Sequence, residues 1–416
     1  MKNYNVYIEI DGQMNLIGFL NGTDDSDTRF KYCKEYLDLE NPKAISVSLP
    51  LQEEYFSVHQ TKNFFEGLLP EGFTRQTLAN RIRKDENDYI GLLSIVGREC
   101  IGAMMINEAD CNLSGEYIPV DAATIKALAL EGATKSAEII SKTHLSLAGA
   151  TGKVGLYLDE KMSKWFLPQG LAPSTHIIKQ SHVRYSDIVV NEALCMNIAR
   201  KCGIDVPDSF IINTGNKQDS DILFAVKRFD RYVEGCKVHR LHQEDFGQAM
   251  SIHPSQKYEL DGSSHMTQMF ETIKNNCANP ILDQAKLFKL IAFNVLIGNT
   301  DAHVKNYSLV YDKYLGNLKL SPAYDLLCTA YHGSTNMLSF NINGKYDITE
   351  LKSKDLLNAA HLAGVGTKIT SKIFDELCEA FETNVKDARD ELLDQGFDKA
   401  ANIAQVILKN ADGILE

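Results

Sequence analysis

Between Val295 and Val310 the chain reads VLIGNTDAHVKNYSLV. An apolar run stops at Gly298. Asp301, His303, Lys305 and Asn306 follow in quick succession, and apolar residues then resume. A loop needs only polar residues, and Ser, Gly or Glu would serve. Asp, His, Lys and Asn together can accept a proton, bind a cation and neutralise a phosphate, so this stretch is the first candidate for chemistry.

Asp301 and Asn306 stand as Asp-x-x-x-x-Asn. The catalytic loop of protein kinases uses that spacing: a carboxylate faces the incoming hydroxyl while an amide oxygen, a turn away, binds Mg2+. The spacing alone is common, and a polar loop in which Asp301 caps a turn would have it too. Asp325 follows in LSPAYDLLC, among apolar residues. An acid there is costly unless paired or on a metal, so it is either a second Mg2+ ligand or a structural cap or ion pair. Upstream, Lys179 ends THIIK, and Glu192 in the next helix could orient it, as a helix Glu orients the phosphate-holding strand Lys of a kinase. A solvated Lys at a strand end is the plainer alternative. SLAGATGK (146–153) fails the Walker pattern, because Leu147 replaces the first Gly and Val154 the Ser or Thr. Its small residues Ala148, Gly149, Ala150 and Gly152 still let backbone N–H groups approach an anion, with Lys153 adding charge. A flexible turn is the alternative. His303 beside Asp301 also admits a hydrolase pair, but no Gly-x-Ser-x-Gly elbow accompanies it.

Elements must hold these side chains. YNVYIEI and AISVSL alternate like strands, and Asn63 to Lys84 reads as helical. LLSIVGRECIGAMMI leads into a polar segment, 107–120, where a sub-domain edge is expected. Residues 143–230 are strand-rich. VGLYL, the turn DEKMS and KWFLP predict a hairpin, and THIIK and LFAVKRF predict further strands. Ser186 to Cys202 is a predicted helix with Val190, Leu194 and Ile198 at helical spacing; Gly203 and Pro207 stop it. After about residue 245 strand signals thin out. Residues 284–297 are apolar on nearly every side, which predicts a central helix, and 371–382 and 398–410 read as amphipathic helices. The division expected is therefore 1–115, 116–245 and 246–416, an α/β half followed by a mostly helical half.

The formal net charge of −12 argues against a chain that coats nucleic acid by itself. MKNYNVYIEIDG has no apolar signal core, and no uncharged apolar run is long enough to span a bilayer. The nine Cys are scattered without a Cys-x-x-Cys, which reads as reduced core thiols of a cytoplasmic protein rather than a disulfide frame or zinc site.

Taken in order, these motifs resemble the HipA family, the kinase toxins of HipBA-type toxin–antitoxin modules. The resemblance rests on FFEGLLPEG, VGRECIGAM, SLAGATGK, THIIK, NEALCMNIARKCGIDVP, VKRFDR, LHQEDFGQAM, IGNTDAHVKNYS and LSPAYDLLCT, which span most of the chain. It implies an α+β, two-lobed, protein-kinase-like fold with an α/β N-terminal half, an all-helical C-terminal half, and ATP and Mg2+ between them. It implies that Asp301 is catalytic and that Asn306 and Asp325 hold Mg2+. Ala148, Gly149, Ala150, Thr151, Gly152 and Lys153 would cover the phosphates and Lys179 would touch them. Lys227, Arg228 and Phe229 would form the adenine hinge, and His303, Val304, Lys305 and Tyr324 would line the nucleotide pocket. Ser146 aligns with the family's autophosphorylated serine, an off-switch. Implied partners are a HipB-like helix-turn-helix antitoxin, DNA only through that antitoxin, and a protein substrate of the aminoacyl-tRNA synthetase class; growth arrest or persistence would follow. Thr151 and Gly152 depart from the Gln and Glu or Pro usual there, which makes Thr151 a further candidate acceptor. Lys227 stands where the hinge is usually acidic. Two other readings stay open: a small-molecule phosphotransferase on a kinase-like fold, and a catalytically inactive partner-binding regulator.

Overall fold

The computed structural model describes residues 2–108, 114–143, 152–181, 185–235, 237–260 and 264–416. The chain divides into two compact units that interleave in sequence. The first comprises 1–184, 212–254 and 310–318, and the second 185–211, 255–309 and 319–416. The helix Ile188–Lys201, expected within 116–245, thus clusters with the second unit.

In the first unit, Lys2–Ile10 and Gln13–Gly22 pair as an antiparallel hairpin. The turn falls at Asp11-Gly12, both at positive φ (47° and 74°), which suits the right-handed twist of the strands. Tyr4, Val6 and Ile8 alternate inward, as the sequence predicts. Arg29–Tyr32 and Met104–Glu108 flank the hairpin and complete a four-stranded sheet.

Two segments depart from expectation. Residues 44–49 form no strand: only an isolated bridge joins Ser46 to Leu49. Ser46 and Val47 turn instead to the buried carboxyl of Glu244, which accepts from Ser46 Oγ (2.5 Å), Val47 N–H (3.0 Å) and, from a distant segment, Tyr311 Oη (2.6 Å). Burial pushes the Glu244 pKa up to about 7, and these donors only partly offset it. The stretch 63–84 is two helices, Val58–Glu66 and Gly72–Ile82. Pro70 lies between them; it lacks an N–H and disfavours helical backbone in the residue before it.

The second sheet of this unit places five strands side by side: Gly115–Pro119, Lys164–Gly170, Lys153–Asp159, His176–Gln180 and Ile222–Lys227. The hairpin read from VGLYL and KWFLP is present, with Tyr157 opposite Phe166. One face is covered by the helices Ala122–Glu131 and Ala133–Thr143. Val154, Leu156, Ile178, Leu223 and Ala225 pack there against Ile125, Leu128, Ala129 and Ile139. Because strand side chains alternate, Lys153, Gly155, Ile177, Lys179, Phe224 and Val226 belong to the other face.

The second unit is mainly helical. Pro280–Leu296 is its central helix, with Leu287, Leu290, Ile291, Phe293 and Val295 all buried. Thr367–Asp394 extends well beyond the predicted 371–382 and buries Phe374, Leu377, Phe381, Val385, Ala388 and Leu392 at helical spacing. Lys399–Leu415 closes the chain. A hairpin, Met337–Ile342 with Lys345–Asp347, turns through Asn343-Gly344 at positive φ. The α+β class stands, with this hairpin added to the helical half.

Candidate active site

The central helix ends in a Schellman turn. Gly298 N–H donates to Val295 O (3.1 Å) and Asn299 N–H to Asn294 O (2.8 Å), with Gly298 at φ +73°. A Cβ at Gly298 would meet the Ala330 Cβ at 3.0 Å, so a side chain would be crowded as well as strained in conformation. Asn410 of the last helix donates to the helix-end carbonyls of Val295 (2.8 Å) and Leu296 (2.9 Å). Thr300 is held through its N–H to Thr329 Oγ1 (2.7 Å), and its carbonyl accepts from Ser339 Oγ (2.8 Å). The residue before Asp301 is therefore fixed from two sides.

Asp301 is exposed and its backbone is fully engaged. Its N–H donates to Asn299 Oδ1 (3.2 Å), and its carbonyl accepts from His303 N–H (2.8 Å) and Asn306 Nδ2 (3.0 Å). Since the Asn306 amide points its NH2 at that carbonyl, its Oδ1 faces the opposite way, where an amide oxygen can meet a hard cation. A short 3-10 turn, Val304–Asn306, carries the buried Val304 and Lys305. Tyr324 Oη donates to Lys305 O (2.9 Å) and lies 2.5 Å from Ser308 Oγ, so Tyr324 is tied to this loop. Asp325 sits at φ +52°, left-handed backbone in a non-glycine residue, which concentrates at functional sites. Among the described residues no group of three or more His, Cys, Asp or Glu is placed to hold a metal ion. One amide and one or two carboxylates fit a Mg2+ that arrives with phosphate and keeps much of its water.

The first unit brings two lysines together. Lys153 and Lys179 are direct partners in neighbouring antiparallel strands, both buried, with Phe224 next in the same row. The pairing puts both lysines in one row on the sheet face opposite the helices. Gly155, two residues along the same face, is buried. Glu192 is buried on Ile188–Lys201 in the other unit. Gly152 is buried; Ser146, Ala148, Gly149, Ala150 and Thr151 lie outside the described residues.

The segment 227–231, expected to carry the hinge, has a structural part that the sequence does not reveal. Arg228 N–H donates to Thr175 O (2.8 Å), and its guanidinium grips Asp230 through Nε (2.8 Å) and a second nitrogen (2.7 Å). Arg231 bonds Glu99 (3.0 Å), which also accepts from Ser174 N–H (2.8 Å). All four charged groups are buried. Burial alone would raise the Asp230 and Glu99 carboxyls, but the flanking arginines outweigh it and hold both below the usual carboxylate range. Burial, and Arg228 beside it, bring Arg231 down to about 10. Lys227 is exposed with its ammonium 3.2 Å from Glu160, and Phe229 is half-buried.

Tyr258 is absent from the sequence reading. Its phenol donates to Asp301 Oδ1 at 2.7 Å. No spacing signal could have found it, because the two residues are 43 positions apart and meet only through the fold.

Comparison with known proteins bears on the whole chain. The family signature described as HipA N-terminal domain matches residues 8–107, and that described as HipA-like C-terminal domain matches 145–385. A Sinorhizobium fredii protein named "Putative kinase Y4mE" is 31% identical over 384 residues, covering 88% of this chain and 89% of its own. The serine/threonine-protein kinase toxin HipA of Shewanella oneidensis is 27% identical, covering 84% of this chain and 81% of its own. A solved complex of Shewanella oneidensis HipA, HipB and operator DNA contains a chain that superposes with a TM-score of 0.80 at 21% identity, covering 98% of this chain and 97% of that one; at that identity the likeness is one of fold. With both signatures matched in order, and a relative alike over most of its length, the chain belongs to the HipA family.

Proposed function

We propose that this protein is an ATP-dependent protein kinase that transfers the γ-phosphoryl group to a serine or threonine of another protein, and that it acts as the toxin of a toxin–antitoxin pair. The observation that carries the reading is the loop at Asp301: an exposed carboxylate on a pinned backbone, with the Asn306 amide five residues on tied by its NH2 to the Asp301 carbonyl, which leaves its oxygen for another partner. Phosphoryl transfer asks a protein mainly for positioning and charge, and this loop offers both. In the reading, Asp301 orients the acceptor hydroxyl and takes its proton. Lys153 and Lys179 neutralise phosphate oxygens, with Glu192 orienting Lys179, and the backbone of residues 227–229 meets the base through groups other than the Arg228 N–H. Mg2+, held by Asn306 and Asp325, would supply charge neutralisation at the phosphates.

The solved relative sits with HipB on operator DNA, which supports a HipB-like antitoxin here. A net charge of −12 fits a protein that meets DNA only through such a partner. The substrate we propose is an aminoacyl-tRNA synthetase, with autophosphorylation at Ser146 as the off-switch: a phosphoserine brings about −1.5 to −2 charges to a loop whose N–H groups would otherwise face ATP.

The test is transfer of label from ATP by the purified chain, alone and with candidate synthetases. Asp301→Asn should lose transfer by orders of magnitude while still binding ATP. Near-normal transfer by that variant would overturn the reading. Mass spectrometry after incubation with ATP and Mg2+ should place phosphate on Ser146; phosphate on Thr151 alone would move the switch there.

A further inference from the structure

We infer that Tyr258 is the positioning residue of Asp301, a built-in hydrogen-bond donor that holds the carboxylate in one orientation for the acceptor hydroxyl. The inference rests on the kinase reading and deepens it.

An exposed Tyr–Asp hydrogen bond is ordinarily weak and changeable, since both groups can turn to water. This one is held at both ends. On the tyrosine side, the adjacent Glu259 is bolted down: its N–H donates to Ser339 O (2.8 Å), and its carboxylate accepts from His265 N–H (3.0 Å), Tyr346 Oη (3.0 Å) and Asn341 Nδ2. On the aspartate side, the carbonyl of the adjacent Thr300 accepts from Ser339 Oγ (2.8 Å). One strand residue, Ser339, therefore sets the register between the segment carrying the phenol and the segment carrying the carboxylate. The Tyr258 ring is steadied in turn by an edge-on contact with the buried His303 of the same loop (centroids 5.4 Å apart, 83°) and by the Lys257 ammonium 5.3 Å above it.

The chemical consequence follows from what an unsupported carboxylate does. On an exposed loop it rotates, and only some orientations present an oxygen to an incoming hydroxyl. A donor 2.7 Å from Oδ1 stops that rotation. The orientation is then set before the substrate arrives, so the gain appears in the chemical step rather than in nucleotide binding.

The decisive variant is Tyr258→Phe, which keeps the ring and its contacts and removes only the donor. Steady-state phosphotransfer to a protein acceptor should show kcat lowered about tenfold or more, with KM for ATP and the melting temperature unchanged. Ser339→Ala, which unties Thr300 while leaving the phenol present, should lower kcat in the same sense. If wild type transfers phosphate, Asp301→Asn does not, and Tyr258→Phe matches wild type in kcat, the inference fails while the kinase reading stands. A rise in KM for ATP with kcat unchanged, or phosphate mapped onto Tyr258 itself, would also overturn it, the latter by making the phenol an acceptor. If wild type transfers no phosphate under any condition, the kinase reading fails and takes the inference with it.

Discussion

Asn306 and Asp325, the proposed metal ligands, are set by different local devices. Asn306 has its amide turned by a hydrogen bond to Asp301 O, and Asp325 holds left-handed backbone. In the proposed site each would contribute an oxygen to a cation that takes few protein ligands, so each would matter more than in a crowded site. Asn306→Ala and Asp325→Ala should each weaken Mg2+-dependent ATP binding in calorimetry while leaving metal-free nucleotide binding little changed. Unchanged affinity in both variants would return these residues to a structural part. Glu244 makes a separate prediction. Its carboxyl is raised from 4.5 to about 7 in the folded protein, so the native state holds a proton that the unfolded chain releases more readily. The associated stability is full below about pH 4.5 and is lost as pH rises through 7. At about 1.4 kcal/mol per pKa unit this amounts to roughly 3 kcal/mol at most. Melting temperatures of wild type should fall from pH 5 to 8 by a component that Glu244→Gln lacks; parallel curves would refute it.

The turn after the central helix is where an element governs a residue. Gly298 satisfies the Schellman geometry at φ +73° and has the Ala330 Cβ against it. Gly298→Ala should cost about 1–2 kcal/mol in backbone strain, lower the melting temperature by a few degrees and, by displacing Asp301, reduce kcat about tenfold. A variant equal to wild type in both would mean that the loop is not positioned by this stop. Gly298 is legible in the sequence because an apolar run ends on a glycine, and Asp301 and Asn306 because their spacing is local. The hairpin at 153–170 is legible because alternation persists on both sides of a polar turn. AISVSL misleads: its alternation is real, but Ser46 and Val47 give their donors to a glutamate 198 and 197 positions away. The helix Thr367–Asp394 is read short because Val385 and Ala388 thin its apolar stripe. Tyr258 and Ser339 carry no signature at all, since a phenol in a polar loop or a serine in a strand gains meaning only from what the fold sets opposite it.

At the scale of the molecule, the interleaving of the two units sets an order of events during synthesis. The first unit is not complete when its strands up to residue 254 have been made. Residues 310–318 still have to return to it, where Tyr311 N–H donates to His242 O (2.9 Å), Tyr311 Oη reaches Glu244, and Lys313 meets Asp11 through both its carbonyl and its ammonium (2.8 Å each). Between those residues and Pro254 the ribosome must first produce the whole central helix and the Asp301 loop. Contacts closed over such distances form late and leave the nascent chain exposed meanwhile. A chain released at Pro254 should therefore be degraded by protease under conditions in which residues 1–254 of the full protein resist; equal resistance would show that the returning segment is dispensable. In the full chain the Asp301 loop is made before the unit bearing Lys153 and Lys179 can close, so on the proposed reading the groups assigned to the acceptor and those assigned to the phosphates are completed in separate folding events.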